Sequence, residues 1–142
     1  MNRRHVLLLA LPLAALAAVA AAVGLTVESA WARATPPGAS VAAVYLRIDN
    51  MGGLADRLLA IRTPVAASVE VHQTSVEDGM ARMRMVSMLH VGANEVLEFV
   101  PGGLHIMLFG LKKPLVAGQT FELELVFEVV GLRRITVTVR GT

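Results

Sequence analysis

Three histidines and five methionines crowd together between positions 72 and 107: His72, Met80, Met83, Met85, Met88, His90, His105 and Met107. Thioether sulfur is soft and uncharged, and with imidazole it selects copper, above all Cu(I), over hard cations. Methionine binds without losing a proton, whereas histidine must be neutral to bind. The chain has no cysteine, which excludes the His₂Cys electron-transfer copper centre, disulfides, thiolate metal sites and thiol catalysis together. A site of two imidazoles and two thioethers would hold Cu(I) without obvious redox cycling, a property suited to carriage and hand-over rather than catalysis.

Such donors need a scaffold that points them the same way. In "GGLHIMLFG" (102–110) successive strand side chains alternate between faces, so Leu104, Ile106 and Leu108 line one face and His105, Met107 and Phe109 the other. The aliphatic face belongs to the core, and His105 and Met107 project together from the opposite side. Met83 and Met85 share a face opposite Arg82 and Arg84, and His72 shares one with Glu70 opposite Val69 and Val71. A plainer reading stands beside this one. Methionine commonly fills gaps in cores, and Met80, Met88 and His90 are read as filling, surface or structural residues. A structural or protein-binding sandwich would bury His105 and Met107 far from His72.

Along the chain, "VAAVYLRIDN" (41–50), "DRLLAIRTP" (56–64), "ASVEVHQT" (67–74), "ARMRMVSM" (81–88), "NEVLEFVPGG" (94–103), "LHIMLFG", "FELELVFEVV" and "RRITVTVR" read as strands separated by Gly, Pro and Asn/Asp turns. That is eight or nine short strands at the spacing of an all-β sandwich, with a short helix in "GLADRLLAIR" as the one exception considered. A two-sheet antiparallel sandwich is predicted. "VEDGM" reads as a turn. Ser75, Glu77, Asp78 and His72 include the ingredients of a triad, and Glu70 with His72 those of a base pair. No nucleophile-elbow or cofactor-binding glycine pattern accompanies them, so an enzyme is not predicted.

At 142 residues the chain suits one domain. Arg3 and Arg4 precede the apolar run Val6–Val23, the layout of an export signal. Residues 1–22 are therefore expected to be a helical signal peptide and 23–142 the folded domain. The run also approaches the length of a membrane span, so an uncleaved anchor is the alternative. "SAWA" (29–32) resembles a cleavage site but lies beyond the apolar run, in a segment that alternates as a strand does, so Trp31 is kept in the mature domain. Without Arg3 and Arg4 the remaining Lys+Arg and Asp+Glu are equal, which leaves no basic patch for nucleic acid.

The spacing His72-x10-Met83-x21-His105-x-Met107 resembles the motif of the periplasmic copper chaperones called PCuAC proteins. The flanks "AWARATPPGASVAAVYLRIDN", "VEVHQT…EDGMARMRMV" and "PGGLHIMLFGLKKPLVAGQTFELELVFE" are similar as well, so the resemblance spans the mature chain. It implies a cupredoxin-like β-sandwich, a monomer, that binds Cu(I) through His72, Met83, His105 and Met107. It further implies delivery toward the CuA centre of cytochrome c oxidase, with a Sco-type protein in the same pathway. Copper storage or detoxification through the same site is the alternative destination. Met85 stands where many members have another residue type, as a spare ligand or a space filler. Some members add a His/Met-rich tail; these residues end in "TVTVRGT", so one copper site is expected.

Overall fold

The computed structural model describes residues 24–141, and the expected signal segment 1–22 lies outside them. Ten strands follow: β1 (Thr26–Arg33), β2 (Val41–Asp49), β3 (Asp56–Arg62), β4 (Ala66–Glu77), β5 (Met80–Met85), β6 (Leu89–Val91), β7 (Val96–Glu98), β8 (Leu104–Leu111), β9 (Thr120–Phe127) and β10 (Gly131–Arg140). Hydrogen bonding runs in the order β5-β4-β8-β2-β1-β10-β9-β3-β6, with β7 pairing onto β2. The path folds over as a cupredoxin-like β-sandwich, open at its β5 and β6 edges.

Two expectations need correction, and one alternative drops out in favour of the strand expected over 56–64. The sandwich is mixed rather than antiparallel, because β1 pairs with β10 in parallel, the first and last strands lying side by side. The stretch 81–88 is not one strand. It breaks after Met85, and the chain resumes as β6 beside β3, so Met88 falls in the bend between the two strands and contacts Arg57 of β3. The short helix considered in "GLADRLLAIR" is strand β3, where Asp56 and Leu58 are buried and Arg57 and Leu59 exposed, the two-residue period of a half-buried strand.

Leu123, Leu125 and Phe127 of β9, Val137 and Val139 of β10, Val44, Leu46 and Ile48 of β2, and Ile106 and Leu108 of β8 form one core. Each such side chain contributes roughly 1.5–3 kcal/mol on full burial. With Ile106 and Leu108 locked inward, the alternating residues His105, Met107 and Phe109 of β8 are left for the opposite face. Trp31 sits within β1, its ring 4.7 Å from that of Tyr45 and 4.7 Å beneath the Arg140 guanidinium, so "SAWA" is part of the fold. The alternation of β1 shifts at Ser29, whose φ of 56° falls where the register to β2 slips between Glu28 and Trp31. A bulge there re-aims the strand.

Candidate metal centre

The β4–β5 hairpin turns on Asp78 and Gly79, both left-handed at φ 51° and 77°, the pair of conformations that a two-residue hairpin loop requires. That turn sets the register: Glu77 opposes Met80, Thr74 opposes Met83 and His72 opposes Met85. On the other side of β4, His72 opposes His105 and Glu70 opposes Met107. Directly opposed residues share a face, so three rows cross the strands. Met83 and Thr74 make the first, Met85, His72 and His105 the second, and Glu70 with Met107 the third. Ser75 opposes Arg82 and lies on the other face, where Arg82 and Arg84 both approach Glu77. A triad of Ser75 with His72 is thereby ruled out by geometry.

The two imidazoles are sunk and the β5 thioethers are not. His105 is 5% exposed, the His72 side chain 15%, Met83 58% and Met85 55%, while Met107 is half-buried. The His72 and His105 ring centroids are 5.8 Å apart, within the roughly 6 Å that two imidazoles can span around one ion with bonds of about 2.0 Å. The Phe109 ring centroid lies 6.0 Å from that of His72. A buried His105 matches one half of the purely structural reading, but its closeness to His72 contradicts the other half.

Hydrogen bonds choose the tautomers. His105 Nδ1 lies 2.8 Å from the Gly103 carbonyl, which only accepts, so Nδ1 carries the proton and Nε2 keeps its lone pair. His72 Nε2 lies 2.7 Å from Glu70 Oε2 and donates to it, which leaves Nδ1 as the acceptor nitrogen. That Nδ1 is buried and has no hydrogen-bond partner among the described residues. An orphaned buried acceptor is unfavourable by about 1–3 kcal/mol and asks for an explanation. A soft cation between the rings would satisfy it. Among the described residues no three His, Cys, Asp or Glu side chains form a metal-binding group.

His72, His105, Met107, Met83 and Met85 therefore share one face, and His90, Met88 and Met80 do not join them. His90 opposes Arg57 on β6, at the far edge of the sheet, and Met88 accepts a weak contact from Arg57 Nη1 at 3.8 Å. Met80 opposes Glu77 and lies on the arginine face of the hairpin. Sequence reasoning missed the support given by Glu70 and the Gly103 carbonyl. The Glu70/His72 spacing signalled a shared face, but not that the carboxylate orients the ring. The row position of Met85 depended on the hairpin register.

The LpqE-like lipoprotein family matches residues 25–139. A relative in Leifsonia xyli subsp. xyli that carries a lipoprotein name, Lxx21020, is 33% identical over 73% of this chain, and the chain spans 62% of that relative's length. The solution structure of CuI-DR1885 from Deinococcus radiodurans superposes with a TM-score of 0.67 at 32% identity, covering 85% of this chain and 83% of that one. The apo PCuAC domain from PmoF1 superposes with a TM-score of 0.68 at 28% identity, covering 83% of this chain and 94% of that domain.

Proposed function

This chain belongs to the LpqE-like lipoprotein family and has the fold of PCuAC copper-chaperone domains, and from that premise we propose that it carries Cu(I) through His72, Met83, His105 and Met107. The protein is periplasmic and non-enzymatic. The observation that carries the ligand assignment is the buried, unpartnered His72 Nδ1 beside the His105 ring. Copper supplies nothing here but itself, as cargo. The chain's own residues orient two neutral imidazoles, through Glu70 and the Gly103 carbonyl, and present thioethers at an open rim. An acceptor approaches that rim and takes the ion by ligand exchange. The exposure of Met83 and Met85 speaks against core filling.

The finer reading is delivery toward the CuA centre of cytochrome c oxidase, with a Sco-type protein as the other copper-handling partner. Residues 1–22 are proposed as the export signal and 23–142 as the copper domain. The 142 residues hold no cysteine, so they offer no thiol for a lipid thioether; a retained apolar leader would be their means of membrane attachment.

The exported protein, titrated anaerobically with Cu(I) against a chromophoric chelator, is expected to take up one equivalent. Failure to withdraw copper from the chelator would sink the reading. For the destination, a deletion strain under copper limitation is expected to lose oxidase activity and regain it with added copper. Normal oxidase activity combined with copper sensitivity would indicate storage or detoxification instead. Glu70→Gln tests the orienting carboxylate. Because outer partners of ligating histidines are worth about 10–100-fold in metal affinity, a loss in that range is expected in the same titration, with one equivalent still bound.

A further inference from the structure

We infer that Met85 is a fifth copper donor, so that an ion held by His72, His105 and Met107 takes either Met83 or Met85 as its sulfur from β5. This rests on the copper-carrier reading above and adds to it a residue outside the His-x10-Met-x21-His-x-Met spacing. The register carries the argument. Met85 directly opposes His72, whereas Met83 opposes Thr74, one row away. Directly opposed side chains stand about 5 Å apart at Cβ and diagonal neighbours about 7–8 Å.

The distance to Met107 separates the two methionines further. Met107 opposes Glu70, on the side of the histidine row away from Met83. At about 3.4 Å per residue and 4.8 Å per strand, Met83 and Met107 are roughly 17 Å apart at Cα in a flat sheet. Met85 and Met107 are roughly 12 Å apart by the same spacings. With a sulfur about 4 Å from its Cα and a metal–sulfur bond of about 2.3 Å, two methionines share an ion up to roughly 13 Å. Met85 falls inside that limit as the strands lie. Met83 would reach the ion only if the hairpin curls toward the histidines.

Both sulfurs lie on an edge strand with no neighbour beyond it, and both are more than half exposed. Two thioethers within reach of one ion give a route for release: one stays bound while the other yields its place to an acceptor's ligand. The same chemistry serves any soft monovalent ion, Ag(I) included. The competing role for Met85 is packing, since it also borders an apolar cleft of about 250 Å³ between β3 and β4, with Leu58, Ile61, Val71 and Val86.

The test uses protein labelled at the methionine methyl carbons and titrated with Cu(I), with Ag(I) as a redox-inert probe. The Met85 methyl resonance is expected to shift within the first equivalent, together with those of Met83 and Met107. Leucine keeps the volume at exposed positions. Met83→Leu and Met85→Leu are each expected to weaken Cu(I) binding by less than about tenfold, and the double variant by far more than the two effects combined, the coupling expected of substitutes for one another. A Met107 shift with a silent Met85, and wild-type affinity in Met85→Leu, would overturn this inference alone and leave Met85 as cleft lining. Silence at both Met85 and Met107 would overturn it together with the copper-carrier reading.

Discussion

A His72→Ala/His105→Ala variant is expected to lose Cu(I) affinity by more than about a thousandfold, the largest effect of any change at the site. Losing only an outer partner of a ligating histidine weakens metal binding by about 10–100-fold, and removing a ligand must exceed that. Here both nitrogen donors go together: the unpartnered Nδ1 of His72 and the Nε2 that His105 keeps free by donating Nδ1–H to Gly103. Met83, Met85 and Met107 remain, and neutral thioethers alone hold Cu(I) weakly. Residual binding should therefore be feeble and fail against a chelator. His105 is buried, so its loss also leaves a void, and urea denaturation must show that the variant is folded. His90→Ala is the matched control. It removes an imidazole from β6, which pairs with β3 and not with β4, β5 or β8, and should bind copper as the parent does. An affinity within tenfold of the parent in the folded double variant would remove the assigned centre.

Which of the proposed donors share a face was largely legible in the sequence, because strand periodicity is a local property. The alternation of Leu104, Ile106 and Leu108 against His105 and Met107 follows from backbone geometry, and burial of Ile106 and Leu108 bears it out. The pairing of Glu70 with His72 on one face was equally readable. Register was not. Whether His72 meets Met83 or Met85 depends on the two-residue loop at Asp78–Gly79, and a one-residue change there would turn the whole strand over. The broad turn read in "VEDGM" left that choice open. The parallel β1–β10 pair joins residues more than a hundred positions apart, which no window of sequence contains. The break after Met85, which sends Met88 and His90 to the opposite edge, likewise belongs to tertiary pairing. Asp56 was hidden most completely: in sequence it is an ordinary acidic residue at the start of a strand.

Replacing Asp56 is expected to give the largest loss of stability of any polar substitution away from the copper face, with no effect on copper affinity. Its side chain is 2% exposed. Oδ1 accepts from the backbone N–H of Arg57 at 2.7 Å and of Val129 at 2.8 Å, and Oδ2 from that of Val130 at 3.0 Å. One carboxylate thus fastens the β9–β10 turn to the start of β3. Burial raises its pKa, but the amides of Val129, Val130, Arg57 and Glu128 outweigh burial and hold the group below its ordinary value of 3.8. Hydrogen bonds to a charged group contribute about 1.5–3 kcal/mol each, and the amides left behind lose their partners. Asp56→Ala is expected to forfeit about 3 kcal/mol or more, a large part of the 5–15 kcal/mol typical of a domain. Asp56→Asn, which keeps one acceptor oxygen but turns an NH₂ toward a backbone donor, should lose about half as much. The pH dependence has a definite sign. With the folded pKa depressed, the unfolded chain binds the proton first as pH falls. The contribution is therefore complete above the ordinary aspartate value and disappears as pH drops through the folded one. Urea denaturation of parent and Asp56→Asn should show a gap that is full at pH 6 and closes below pH 3.8. Equal stabilities at pH 6, or a gap that persists at the acid end, would contradict the assignment. Because Asp56 belongs to β3 while the proposed donors stand on β4, β5 and β8, folded Asp56→Asn should still take up one equivalent of Cu(I) with the parent's affinity, which separates the residue that holds the sandwich from those proposed to hold the metal.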